Sequence, residues 1–201
     1  MKKIDQLAEM FRKLPGIGSR QARRIVYQLL HERSDFRRAL SDGITDLQES
    51  VLQCDSCMSF FENGSGTDEK LCAVCRDEDR NTSVLLLLQK DADIDAIESS
   101  GKYDGRYFVL GSLIPLSSDN SQLIRNMGQL LDKLKKEKIT EVVIGLPLTT
   151  DGEHTRVHLT DFLLEKFSDL KISSFARGIS TGTEIEYCDP ETIENALRNR
   201  K

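Results

Sequence analysis

Val84-Leu85-Leu86-Leu87-Leu88-Gln89 contains the longest apolar run of the chain. It has the length of one buried strand and falls far short of the ~18 apolar residues that cross a bilayer. From Ser83 onward such runs alternate with amphipathic stretches. The pattern predicts strand Val84–Gln89, helix Ile94–Ser99, strand Tyr107–Leu110, helix Ser121–Lys136, strand Glu141–Leu146, helix Gly152–Phe167 and strand Lys171–Ala176. Four strands separated by helices predict a parallel sheet covered on both faces. Beyond it, Thr183–Tyr187 reads as extended, and Pro190 at the first helical position opens a short helix to about Arg198.

Immediately upstream lies a loop-rich segment, Cys54 to Asp79, that holds four of the five cysteines and the Gly/Ser run Asn63–Thr67. Cys54-x2-Cys57 and Cys72-x2-Cys75 are separated by fourteen residues. Two such knuckles place four thiolates around one Zn²⁺ at about 2.3 Å each, with no open coordination position, so one structural zinc per chain is expected. A redox CxxC needs a βαβ context that this segment lacks. Cys188 is left over and is expected to be a small buried apolar residue.

Three helices precede the cysteines. Ile4, Leu7, Ala8, Phe11 and Leu14 line one face of residues 4–14; Ala22, Ile25, Val26, Leu29 and Leu30 line a second helix that Ser19 is placed to cap. A third runs from Asp35 to Gln53, with Phe36, Leu40, Ile44, Leu47 and Val51 expected to face inward. Between the first two, Leu14-Pro15-Gly16-Ile17-Gly18 has the pattern of a helix-hairpin-helix. Gly16 and Gly18 let a tight hairpin approach a phosphate, and free N–H groups at the start of the second helix point at the anion. Arg20, Arg23 and Arg24 follow within two turns and add contacts that release counterions.

The charge distribution supports that reading. The 201 residues are 38% hydrophobic and 30% charged, with a net charge of −5. Residues 1–40 carry ten Lys/Arg against four acids, a balance of +6, so the remaining 161 residues sum to −11. A basic arm for polyanions joined to an acidic body is the implied organisation. The N-terminus lacks the apolar core of a secretory signal, so a cytoplasmic location and no membrane partner are expected.

Other candidate motifs are weaker. Gly178-Ile179-Ser180-Thr181-Gly182 matches GxSxG, but no histidine follows it and an extended segment, not a helix, is expected after it. His154 and His158 share a helix face, yet with no HExxH they read as ordinary helix histidines. Asp91-x-Asp93-x-Asp95 reads as an acidic helix start complementing the macrodipole. No GxxxxGK[ST] is present.

The ordered set of hairpin, paired CxxC, α/β body and tail resembles the RecR family of bacterial recombination mediators over essentially the whole chain. The residues that carry it are Leu14–Gly18 with Ala22 to Arg24, the four cysteines, Asp91–Glu98, Gly105–Gly111, Gly152-Glu153-x-Thr155, Ala176–Gly178 and Gly182–Tyr187. The resemblance implies a Toprim-type α/β domain, a ring-like oligomer (a dimer, or dimers paired as a tetramer) able to clamp DNA, and partnership with RecO and RecF in loading recombinase onto single strands. By position, Arg20 and Arg24 match the residues that face DNA, and Cys54, Cys57, Cys72 and Cys75 match zinc ligands. The implied modules are residues 1–53, a helix-hairpin-helix region; 54–79, a zinc finger; 80–176, the Toprim domain; and 177–201, a tail with a short helix.

The chain departs from that pattern in four places. The gap between the CxxC pairs is long, Gln89 stands where a strand-end Glu is usual, Leu146-Pro147-Leu148-Thr149 replaces a Thr-Asn-Pro-Thr-like stretch, and Asp151 replaces a Glu. Toprim enzymes hold Mg²⁺ with a strand-end Glu and a later Asp-x-Asp. Gln89 is neutral and Glu141–Leu148 has no Asp, so the domain reads as a scaffold with no catalytic residues. The rival reading is a Mg²⁺-dependent nuclease or primase-like enzyme with its acids shifted to Asp91, Asp93, Asp151 and Glu153.

Overall fold

The computed structural model describes residues 2–63, 70–114 and 121–200. The chain divides into two compact units, residues 1–52 with 62–64, and residues 53–61 with 65–201.

The first unit is helical: α1 (Lys3–Phe11), α2 (Ser19–His31) and α3 (Ser34–Ser50). The first helix stops at Phe11, three residues short of the apolar pattern. Lys13 and Leu14 N–H tighten onto Met10 and Phe11 carbonyls, and Pro15 disfavours a helical conformation at Leu14. Gly18, not Ser19, occupies the capping position of α2, with extended backbone and no side-chain cap. The interior is small. Ala8, Ala22 and Val26 are buried, with Ile4, Phe11 and Ile17 packed around them.

The third helix corrects the sequence reading twice. It ends at Ser50 because Val51–Gln53 turns extended as strand β1 and pairs with β2 (Phe60–Glu62). No residue of α3 is buried: Phe36, Leu40, Ile44 and Leu47 stay 49%, 39%, 61% and 59% exposed. The periodicity is real, but nothing among the described residues covers the stripe.

In the second unit, β3 (Asn81–Leu88), β4 (Gly105–Val109), β5 (Glu141–Gly145) and β6 (Lys171–Ser174) form a parallel sheet in the order β4-β3-β5-β6. Leu86 is in register with Tyr107 on one side and Val143 on the other. Alternate residues of β3 enter different cores. Leu85 and Leu87 pack with Phe108, Val142 and Ile144 against Leu130 and Leu134 of α6 (Ser121–Lys136) and Leu159 and Leu163 of α7 (Thr150–Lys166). Leu86, Leu88 and Tyr107 pack against Ile94 and Ile97 of α5 (Asp91–Glu98) and against Val74 of the short helix α4 (Ala73–Arg76). Burial on both faces explains why the strand reads as an unbroken apolar run.

The cysteine segment is sewn to this sheet. Val109 N–H on the edge strand β4 donates to the Cys57 carbonyl at 2.8 Å. The buried Arg106 guanidinium donates to the carbonyls of Val74 and Asp77. Buried Lys133 of α6 donates to Ser56 Oγ at 2.7 Å and pairs with Glu137 at 2.8 Å. The Asn63–Thr67 run lies, from residue 64 on, outside the described residues.

The tail departs from expectation at Ile185–Tyr187, which forms a 3₁₀ turn and not an extended segment. Cys188 is half-buried, its Sγ near the Glu184 carbonyl, and not a core residue. Helix α8 (Pro190–Arg198) begins as expected, with Asp189 accepting from Thr192 N–H at its N-terminus.

Candidate nucleic-acid interface and metal centre

The hairpin begins with a turn. Ile17 N–H donates to the Leu14 carbonyl at 3.2 Å, with Pro15 and Gly16 between them and Gly16 at φ +78°. Pro then Gly at the centre of a turn is the type II pattern, which needs a left-handed residue in second place. The first α-helical hydrogen bond runs from Ala22 N–H to the Gly18 carbonyl. The N–H groups of Ser19, Arg20 and Gln21 therefore lack helical acceptors, and Gly18 carries no side chain to cover them. Open space surrounds the place where a side chain would stand at Gly16 and at Gly18.

The three arginines divide. Arg20 and Arg24, four residues apart on α2, are exposed and have no ion-pair partner among the described residues. Arg23 instead pairs with Asp5 of α1 at 2.5 Å, an internal strap between the two hairpin helices. Sequence spacing could not single out Arg23, because its partner is eighteen residues away on the other helix.

The four cysteines converge. Cys54, Cys57 and Cys72 are buried and Cys75 half-buried, and all four Sγ atoms lie within 4.8 Å of one another, with Cys57 and Cys72 at 3.6 Å. Four sulfurs about 2.3 Å from one tetrahedral centre are about 3.8 Å apart, so the set fits a metal ion. The first knuckle closes through Met58 N–H to the Cys54 carbonyl and places Met58 at φ +65°. Nothing in the sequence signals that left-handed turn, since a glycine would ordinarily mark it. Hydrogen bonds from Cys57, Cys72 and Cys75 push the Cys54 thiol far down, while Cys57 is pushed up, chiefly by Cys54. A cation that holds every sulfur as thiolate ends that competition for protons.

Comparison with known proteins converges on one assignment. Residues 4–47 match the helix-hairpin-helix model of RecR, 84–175 the Toprim domain model and 178–201 the C-terminal model of RecR. The chain is 36% identical to the recombination protein RecR of Rickettsia bellii, across 98% of this chain and 95% of that protein. It is 35% identical to that of Cereibacter sphaeroides strain ATCC 17029, across 98% of this chain and 96% of that one. The chain belongs to the RecR family.

In this member of the RecR family three of the four acids that could serve a shifted Mg²⁺ centre, Asp91, Asp93 and Glu153, are engaged elsewhere. Asp91 accepts from Phe60 N–H at 2.7 Å, and Asp93 accepts from Lys90 N–H at the start of α5. Glu153 pairs with Arg177 and with Arg156, at 2.9 Å for the latter. Those partners, Arg177 first, hold its carboxyl below the usual range. At the end of β3 stands neutral Gln89, whose carbonyl accepts from Gly111 N–H. The cysteines are the only group of three or more metal-capable side chains that converges among the described residues. The residues of the Gly152-Glu153-x-Thr155 motif act together. A side chain at Gly152 would lie 1.9 Å from the Pro147 carbonyl. Buried Thr155 accepts from Ile114 N–H at 2.8 Å and donates to the Asp151 carbonyl. Residues 178–184 form neither a strand nor a helix, so the GxSxG match has no nucleophile elbow around it.

Proposed function

We propose that the chain is a non-enzymatic, sequence-independent DNA clamp that acts in recombinational repair with RecO and RecF, loading recombinase onto single-stranded DNA. The family supports the recombination role, and the RecO and RecF partnership rests on that kinship. The observation that carries DNA binding is the hairpin itself: uncapped N–H groups at the start of α2 beside Arg20 and Arg24, which have no ion-pair partner among the described residues. Gly16, Gly18, Arg20, Arg23 and Arg24 form the phosphate-contacting set, with Arg20 and Arg24 as its principal cations because the charge of Arg23 is offset by its pair with Asp5. Phosphate contacts position a duplex or strand without reading bases.

Cys54, Cys57, Cys72 and Cys75 hold one structural Zn²⁺, since four thiolates leave no coordination position open to substrate. The four modules are residues 1–53, 54–79, 80–176 and 177–201. No helix among the described residues is long and apolar enough to cross a membrane, and the protein works in the cytoplasm. The engaged states of Asp91, Asp93 and Glu153 favour a scaffold over a Mg²⁺ centre. The uncovered stripe of α3 supports self-association, first as a dimer and then as a tetrameric ring. Grouped arms would let several weak DNA contacts act together.

The test is Arg20→Ala with Arg24→Ala. The double variant should weaken binding to every DNA sequence alike while metal content and oligomer mass stay at parental values. Parental affinity in the double variant would place DNA elsewhere. Mg²⁺-dependent nicking or primer synthesis that Glu153→Ala abolishes would replace the clamp with the enzyme.

A further inference from the structure

His154 and His158 are four residues apart on α7 and share one face of the helix. Their Nε2 atoms are 3.0 Å apart, the ring centroids 4.3 Å apart and the ring planes at 70°. We propose that this pair is a second metal site, a bidentate imidazole chelate for a divalent late first-row ion of tetragonal preference, Cu²⁺ or Ni²⁺.

The span decides the class of ion. Two nitrogens about 2.1 Å from one ion are about 3.0 Å apart when they subtend a right angle and about 3.4 Å apart in a tetrahedron. The observed distance is that of adjacent positions in a square-planar or octahedral shell, the geometry Cu²⁺ and Ni²⁺ take with imidazole. The scaffold is firm: Leu159 and Leu163 anchor α7 in the core, and Thr149 caps its first turn by accepting from Gly152 N–H. The pair is reachable, with His154 half-buried and His158 exposed. No third His, Cys, Asp or Glu converges on it among the described residues, so the remaining positions are open to water or an external ligand. Buried Nδ1 of His154 has no hydrogen-bond partner. Ligating histidines ordinarily have one, and its loss lowers metal affinity 10–100-fold. The site therefore exchanges its ion and does not retain it.

A hydrogen bond between two neutral imidazoles has the same span, and one experiment separates the two. Full-length protein carrying Cys188→Ser, so that no free thiol is left to reduce Cu²⁺, and with its cysteine site filled with Zn²⁺, is titrated with Cu²⁺–iminodiacetate, a chelate that leaves two adjacent positions for imidazole. Uptake is followed by electron paramagnetic resonance. The parent should take up one Cu²⁺ per chain, with couplings from two imidazole nitrogens. His154→Gln and His158→Gln should each weaken uptake roughly tenfold or more, and His31→Gln should leave it unchanged. No uptake by the parent, or parental uptake by either of the two α7 variants, would overturn the proposal.

Discussion

The two units handle apolar residues in opposite ways. The α/β unit turns its large side chains inward, with Leu85, Leu87, Phe108, Leu130, Leu159 and Leu163 all essentially inaccessible. The helical unit buries two alanines and a valine and leaves Leu30, Phe36, Ile44 and Leu47 more than two-fifths exposed. One region stabilises itself. The other presents an apolar stripe on α3 that no described residue covers, and cations on α2 that have no ion-pair partner among the described residues.

The largest test of that contrast is removal of one of the four converging cysteines from the self-sufficient side. Cys57→Ser should cut metal content and lower the thermal stability of the whole α/β unit. Structural zinc sites are worth about 10–16 kcal/mol in small peptides, and a domain has only ~5–15 kcal/mol in hand. Metal analysis and calorimetry check it; an unchanged melting transition would mean that the sheet stands without its cysteine knuckles. Next comes Phe108→Ala, expected to destabilise by about 3–5 kcal/mol in denaturant titration. Ile44→Ala on α3 should stay within about 0.5 kcal/mol in dilute protein, yet shift the mass distribution toward smaller species as concentration falls. If the two substitutions cost the same at high dilution, the contrast between the units fails.

On the cationic side, Arg20→Ala with Arg24→Ala should flatten the slope of log K against log[salt] by about 2, roughly one for each lost phosphate contact. Stability should not move. The most local effect belongs to a strap inside the α/β unit. Glu98 accepts from Arg80 and from Tyr107, and the Arg80 hydrogen bond, then that of Tyr107, holds its carboxyl below the usual value. Because the folded pKa is the lower one, the stabilisation is complete above the unfolded value of about 4.3 and is lost as pH falls through the folded value. Glu98→Gln should cost about 1–2 kcal/mol at neutral pH and flatten the acid limb of the stability profile, measured by chemical denaturation from pH 3 to 7.

How much of this could be read beforehand depended on how local the cause was. The sheet was legible because burial on both faces leaves a continuous apolar signature from Val84 to Leu88, and the metal set because four thiols at two CxxC spacings have few other uses. The amphipathic period of α3 was equally plain, but period tells that a face exists and not what covers it. Arg23 escaped because its Asp5 partner is set by how α1 and α2 pack. Met58 escaped because its left-handed turn is imposed by the knuckle around it. The turn at Ile185–Tyr187 is closed by Tyr187 and Cys188 N–H donating to Glu184 and Ile185 carbonyls, bonds that no pattern of residue types announces. The histidine spacing was visible; the convergence of the two rings was a matter of rotamers.

The hydrogen bond from Val109 to the Cys57 carbonyl also orders events in time. During synthesis Cys57 leaves the ribosome some ~50 residues ahead of Val109, on the order of 3–10 s at ordinary elongation rates. The knuckle can be finished before the strand it covers exists, so β4 is met on arrival at the edge that would otherwise invite another chain. β5 then adds on the far side of β3, and β6 adds beyond it. The sheet is thus free to grow in one direction only, away from the cysteines, with the order of translation serving as the order of assembly.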